Sequence, residues 1–394
     1  MNPSVLFIDE TSDLGGGEVV LAQMANALRS AGWVVGVALP NGGPLAEILK
    51  GQGVEVLVVS RPRLISTSFY VRQHWKVPNP FSLLVNLVPA SLWTLRLSIT
   101  MARRRPAIVH TVSLWSHACA SLAAFLVRVP VVWHVQDLVQ PGRASGLYAR
   151  LFRLWAKWWP TRILCVSDAV AAQFGKGAWV KKKVHVLWNV VDLRRYAPGG
   201  PRAPAQAGGP LTIGTAARLT PWKGQEECLE AAWALQDRGV AFEWRFAGTE
   251  ALGTRGYAGH LARRAAELGL ADRVQWLGWV ENMPEFYRGL DVLVHLPTEP
   301  DPCPLVLMEA AASGVPLIST GGGSADRIVP GAAGSLVPGR SPGKVAQVLE
   351  NWAGSPEALQ ERGRQARAFA EAHFDLSKYA ERLVAEYMSI VGEG

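Results

Sequence analysis

Residues 197–210 read Ala-Pro-Gly-Gly-Pro-Arg-Ala-Pro-Ala-Gln-Ala-Gly-Gly-Pro. A stretch built almost entirely of Ala, Pro and Gly, with no apolar period, commits to neither helix nor strand and is expected to be a linker. The same pattern appears on both sides of it. Before it, short β-branched runs alternate with longer amphipathic stretches: Val5 to Ile8, Val34 to Leu39, Val54 to Val59, Ile108 to His110, Val131 to Val135 and Ile163 to Val166. After it, the alternation restarts at Leu211 to Ile213 and continues through Trp244 to Phe246, Val274 to Leu277, Val292 to Val294 and Pro316 to Ile318. Runs that are apolar on successive residues predict strands covered on both faces, as in a parallel sheet. The expected organisation is an α/β chain with a Rossmann-like domain over 1–196, the linker 197–210, and a second Rossmann-like domain over 211–375. The last segment, 376–394, carries Tyr379, Leu383, Val384, Tyr387 and Met388 at the spacing of one helix face, and is expected to pack back on the first domain.

Composition narrows the class. With 394 residues, 49% of them hydrophobic and 18% charged, the chain can bury two cores and is neither disordered nor a coiled coil. Its charge is uneven. Residues 1–200 hold 22 Lys+Arg and 9 Asp+Glu, a net +13; residues 201–394 hold 18 and 23, a net −5, and together these give +8. Ten of the 16 Trp fall in the basic half, among them Trp93, Trp155, Trp158 and Trp159. A basic, Trp-rich half points to an anionic partner. A membrane surface or phosphate-bearing acceptor fits better than nucleic acid, for which no binding motif is present. The start, Met1-Asn2-Pro3-Ser4-Val5, lacks a basic n-region and Asp9-Glu10 interrupt the first apolar run, so no signal peptide is expected and the location is cytoplasmic. Phe81 to Ala102 is the most apolar long stretch; Asn86, Pro89 and Arg96 break it, leaving a buried or interfacial helix. Cys119, Cys165, Cys228 and Cys303 show neither disulfide nor zinc spacing.

Three motifs carry chemistry. Gly15-Gly16-Gly17-Glu18 lies between the first strand and an amphipathic helix, where bare backbone N–H groups can approach a phosphate or sugar at the positive helix end. It is no dinucleotide fingerprint, because the G-x-G-x-x-G spacing is absent and the second strand ends without an acid. Gly214 to Gly224 holds Arg218 and Lys223 between a strand and a helix, two cations suited to clamp a diphosphate. Thr298 to Gly314 places Asp301 at a loop end and Glu309 two turns into the following helix, able to reach two parts of one extended polar ligand. No D-x-D triplet or His/carboxylate metal cluster is visible, so the two cations are expected to do the work of a metal, with no cofactor.

Taken together with the strand-end His110 and His134, Val166-Ser167-Asp168, Asn189 to Asp192, Gly278 to Val280 and Gly321-Gly322-Gly323, these motifs give the chain a close resemblance to the retaining glycosyltransferases of family 4. The resemblance covers nearly the whole length. It implies the GT-B fold, two Rossmann-like domains facing across a cleft, and transfer of a sugar from a nucleotide-diphosphate-sugar to an acceptor hydroxyl with retention, in glycan, glycolipid or polysaccharide synthesis. By position it makes His134 and Asp301 the catalytic candidates, facing the transferred sugar. It assigns Gly16, Gly17, Arg218, Lys223, Val280, Leu305, Val306 and Glu309 to the donor, with Glu309 on the ribose. Glycan or lipid-linked acceptors and an anionic membrane surface are the implied partners.

Two departures from the family pattern matter. Asp301 stands where a Glu is usual and shortens the reach by one methylene; Cys303-Pro304 replaces Phe-Gly and removes one backbone N–H. Asp326 likewise stands where Glu is frequent. Other readings stay open: a nucleotide-sugar epimerase, an inverting transferase with Asp137 as base, or a non-catalytic nucleotide-sugar-binding protein that kept the fold.

Overall fold

The computed structural model describes residues 3–62, 68–71, 75–78, 81–139, 146–199, 209–250 and 254–392. Unit 1 comprises Met1–Phe69, Lys76–Asn189 and Leu376–Gly394, and unit 2 comprises Tyr70–Trp75 and Val190–Asp375. The change of unit at Asn189/Val190 precedes the Ala-Pro-Gly stretch, most of which lies outside the described residues. Residues 190–196 belong to unit 2 because they are tied there: the Val191 amide donates to the Phe374 carbonyl at 2.9 Å, and Arg367 Nη1 donates to the carbonyls of Leu193 and Tyr196 at 3.1 Å each.

Unit 1 is built on β1 (Ser4–Ile8), β2 (Val34–Leu39), β3 (Glu55–Val58), β6 (Ile108–Thr111), β7 (Val131–Val135), β8 (Arg162–Cys165) and β9 (Val184–Val186). Their order across the sheet is β3-β2-β1-β6-β7-β8-β9, and the pairings are parallel. A separate two-stranded piece joins β4 (Ser68–Val71) to β5 (Trp75–Pro78). The apolar runs read from sequence are these central strands; β1, β6 and β7 are buried almost throughout because helices cover both faces. The strand at 184–186 and the short β4–β5 piece carry no such run, and periodicity did not announce them. The 81–102 stretch forms two helices, Ser82–Val85 and Leu87–Arg104; the longer buries Trp93, Leu97, Ser98 and Met101 and exposes Leu92 and Leu95. The final helix, Leu376–Gly392, buries Tyr379, Leu383, Tyr387 and Ile390 within unit 1, whereas Met388 is exposed.

Unit 2 repeats the plan with β10 (Leu211–Ala216), β11 (Phe242–Ala247), β12 (Val274–Gly278), β13 (Val292–His295), β14 (Leu317–Thr320) and β15 (Gly334–Val337), in the order β12-β11-β10-β13-β14-β15, all parallel. In both sheets the order reverses beside the first strand, between β1 and β6 and between β10 and β13. Ligands of open parallel sheets sit outside the carboxyl ends of the strands at such a reversal.

Candidate functional site

In unit 2 the turn after β10 passes through Arg218 into a 3-10 turn, Pro221–Lys223, and then the helix Gln225–Asp237. Gly224 joins the two with φ +73°, and a Cβ there would lie 1.7 Å from the Leu296 carbonyl oxygen, so only glycine lets this turn press against the end of β13. The contact brings Lys223 to the loop after β13. Its ammonium lies 2.6 Å from Asp301 Oδ2 and 4.0 Å from the Trp222 ring centroid. His295, the last residue of β13, places Nε2 3.1 Å from the same oxygen. The glycine triplet holds the loop from the other side: Gly323, at φ +64°, would drive a Cβ to 2.0 Å from the Asp301 carbonyl oxygen, and the Ser324 amide donates to that oxygen at 3.2 Å.

Asp301 is 5% exposed. Burial pushes its carboxyl up, but the Lys223 charge and the His295 hydrogen bond outweigh burial and hold it well below the usual carboxylate range. His295 is lowered by burial, and Asp301 opposes that shift. Arg218 is exposed, and its carbonyl accepts from Gln225 Nε2 at 2.9 Å.

Glu309 lies in the helix Leu305–Ala312, capped by Pro304. Tyr287 donates its hydroxyl to Oε2 at 2.7 Å and Tyr196 donates to Oε1 at 2.9 Å. Burial raises this carboxyl, and the two tyrosine hydrogen bonds pull partly against it. Leu305 and Val306, at the first turn, and Val280, after β12, are half-buried.

In unit 1, Gly15 caps the helix Gly16–Ser30, so Gly16 and Gly17 are its first turn. His134, in β7, is 0% exposed and neither ring nitrogen has a hydrogen-bond partner among the described residues. Its ring meets that of His110 edge-on at 5.4 Å, and His110 Nδ1 is hydrogen-bonded to the Tyr387 hydroxyl at 2.6 Å. Burial pushes His134 down to about 3. At the reversal between β1 and β6 lie Asp9 and Glu10. The Glu10 amide donates to Asp9 Oδ1 at 2.7 Å, and Glu10 Oε2 accepts the Trp115 amide, in the first turn of the next helix, at 3.0 Å. Burial, with Glu18 adding to it, raises Asp9 to about 7.

Of the residues singled out in the sequence, the structure joins Lys223 to Asp301, and gives Glu309 two tyrosines that sequence reading missed. Tyr196 and Tyr287 stand 113 and 22 positions from Glu309, with no spacing signal. His295 and the Asp9-Glu10 pair were legible in principle, as polar residues ending apolar strands. Among the described residues, no group of three His, Cys, Asp or Glu side chains could hold a metal ion.

The Glycosyltransferase Family 4 profile matches residues 14–195, and the Glycosyl transferases group 1 profile matches residues 210–354. A D-inositol 3-phosphate glycosyltransferase of Nocardia farcinica is 31% identical over 224 residues, 54% of this chain and 49% of that protein. The lipopolysaccharide core biosynthesis mannosyltransferase LpsB of Rhizobium meliloti is 28% identical over 183 residues, 44% of this chain and 51% of that protein. The chain thus spans about half the length of these curated relatives. Among solved structures, Anabaena HepE in complex with UDP and glucose superposes with a TM-score of 0.82 at 21% identity, covering 98% of this chain and 99% of that one. Two parallel-stranded sheets with flanking helices, in this order, are the GT-B fold.

Proposed function

This chain belongs to glycosyltransferase family 4, and on that premise we propose that it transfers a sugar from a nucleotide-diphosphate-sugar to an acceptor hydroxyl with retention of anomeric configuration. The observation that carries the reading is the Lys223 ammonium, fixed by Asp301 at the reversal of the second sheet, with exposed Arg218 five residues before it. In this reading the donor diphosphate takes Lys223 from Asp301 and is gripped by Arg218. The released Asp301 then accepts a hydroxyl of the sugar, and Glu309, preset by its tyrosines, accepts from the ribose. Gly16, Gly17, Val280, Leu305 and Val306 border the donor. His134, whose ring nitrogens have no hydrogen-bond partner among the described residues, has hydrogen-bonding capacity to offer the sugar. The two cations neutralise the leaving diphosphate without a metal. UDP and UDP-glucose, bound by HepE, are the first donors to try.

The acceptor proposed is a glycan or lipid-linked hydroxyl in envelope polysaccharide or glycolipid synthesis, a reading supported by relatives named for inositol phosphate and lipopolysaccharide core transfer. The location proposed is cytoplasmic, peripheral on the inner face of an anionic membrane. Among the described residues, no helix is long and apolar enough to cross a membrane.

The test is calorimetry with nucleoside diphosphates and their sugars, paired with product analysis by NMR. Arg218→Ala, at an exposed position, is expected to weaken diphosphate binding by about 1.5–3 kcal/mol. Asp301→Asn is expected to lower turnover more than diphosphate affinity. Turnover that survives chelator, and an anomer matching the donor, are the expected results. Unchanged affinity of Arg218→Ala removes the clamp, and an inverted anomer removes retention.

A further inference from the structure

The helices that precede β6, β7 and β8 are Leu87–Arg104, Leu114–Val127 and Gly146–Trp158. Right-handed crossovers between strands taken successively in one direction put these helices in one layer on one face of the sheet. The first two pack against each other, and Phe125 at the end of the second meets Trp159 beyond the third, ring to ring at 5.6 Å. Several large apolar side chains of this layer stand out toward solvent. Leu95 is 56% exposed, Phe125 69%, Leu126 67%, Leu154 54% and Trp158 69%. Between the ends of the second and third helices runs a groove of about 500 Å3, lined by Ser121, Phe125, Leu126, Arg128 and Trp159 among others.

Charge accompanies the apolar surface. Residues 81–185 contain 14 Lys+Arg and only two acids, Asp137 and Asp168. Those two follow β7 and β8, at the carboxyl edge of the sheet. The cations gather at the opposite edge, because the helices leading into β6, β7, β8 and β9 all end there: Arg103 to Arg105, Arg128, Lys157 and Lys181 to Lys183. Lys183 Nζ donates to the carbonyls of Lys157 and Pro160 at 3.0 and 2.8 Å, which ties two of these helix ends together. Arg104 is paired with Glu55, and Arg162, at the start of β8, with Glu386; Arg103, Arg105, Arg128, Lys157, Lys181 and Lys182 are exposed. The Gly146–Trp158 helix combines both features on one side, with Leu151, Leu154 and Trp158 beside Arg150, Arg153 and Lys157 and no acid.

We infer that this three-helix layer is the face by which the protein lies on an anionic lipid bilayer, with Phe125, Leu126 and Trp158 entering the interface and Arg128, Lys181 and Lys182 meeting lipid phosphates. It rests on the membrane association proposed above and gives it a location. A bilayer, rather than a second copy of the chain, is the occupant that matches apolar tips ringed by cations of one sign: a copy would bring like charge against like. A polyanion without an apolar phase would leave the exposed rings uncovered. The layer runs from the carboxyl edge, where Asp9 and His134 lie, to the cationic edge. A protein lying on it keeps the carboxyl edge of the sheet, with Asp9 and His134, close to lipid.

The test is flotation of the full chain with phosphatidylglycerol and with phosphatidylcholine vesicles at low and high salt. Variants are Phe125→Ser combined with Trp158→Ser, Arg128→Glu alone, and Trp233→Ser in unit 2 as an exposed control. Wild type is expected to float with phosphatidylglycerol and lose most binding at high salt. The double variant is expected to bind about tenfold less and Arg128→Glu about fivefold less, while Trp233→Ser matches wild type. Melting temperature and UDP affinity should stay as in wild type for all variants. Wild type that floats with neither lipid overturns membrane association itself. Wild type that floats, with the layer variants floating equally well, leaves association standing and overturns this face. A concentration-dependent dimer abolished by the same variants makes a second copy the occupant and also overturns the inference.

Discussion

In unit 2, Lys223, Asp301 and His295 converge on one carboxylate oxygen within 3.1 Å. At the carboxyl edge of the sheet in unit 1, His134 has no hydrogen-bond partner among the described residues and Asp9 has acids for its charged neighbours. Both groups of residues lie at the carboxyl ends of parallel strands and are largely buried, yet their protonation differs. Where opposite charge is adjacent, the cost of burial is offset and Asp301 stays ionised. Where it is not, the group takes its neutral form: His134, and His117 buried in the helix Leu114–Val127 with Nδ1 2.6 Å from the Thr111 hydroxyl, sink to about 3, and Asp9 rises to about 7. Burial alone therefore does not set the charge of a site; the neighbour does.

The strongest way to break the comparison is to make unit 2 resemble unit 1. Lys223→Ala leaves Asp301 buried with only an imidazole, and should cost about 3–5 kcal/mol in urea unfolding. Lys223→Met with Asp301→Leu should recover a large part of that loss. A single variant as stable as wild type would mean the pair is solvent-screened.

Acid should act on unit 1 instead. His117 and His134 have folded values depressed from 6.5, so the stability they permit is complete above about pH 6.5 and is lost as pH falls toward 3. The slope is up to about 1.4 kcal/mol per pH unit for each histidine. Asp9, raised from 3.8 to about 7, works the other way: its contribution is present below 3.8 and lost as pH rises through 7. Thermal unfolding of Asp9→Asn should accordingly fall more steeply than wild type between pH 6.5 and 4. Parallel curves would show that Asp9 is not buried in its neutral form.

A smaller effect sharpens the contrast inside unit 2. Glu309→Gln keeps the shape but faces two tyrosine hydroxyls with a neutral amide, and should lower stability by about 1–2 kcal/mol together with donor affinity. Affinity that stays intact while stability falls would confine Glu309 to a structural role. The least effect belongs to Glu55→Ala, whose pairing with Arg104 is half exposed on both sides; about 0.5 kcal/mol or less is expected by chemical denaturation.

Much of this was legible in the chain. Successive apolar residues announced the central strands, because a strand covered on both faces has no polar side to show. The glycines of the two βα turns, the Arg218/Lys223 pair and the acids eight residues apart were local in sequence and so visible there. The partners of those residues were not. Tyr196 reaches Glu309 because residues after Asn189 are held to unit 2, and His295 meets Asp301 because β13 ends where the Gly224 turn presses on it.

The sequence by itself determined the two parallel sheets, the family and which residue types stand at the strand ends, since these follow from periodicity and from spacing along the chain. Only the tertiary structure decided that Lys223 is already paired, that Glu309 is held by two tyrosines, and that His134 is buried without a hydrogen-bond partner among the described residues. Each depends on which side chains from distant segments share one low-dielectric space, and distance along a chain does not encode distance through it.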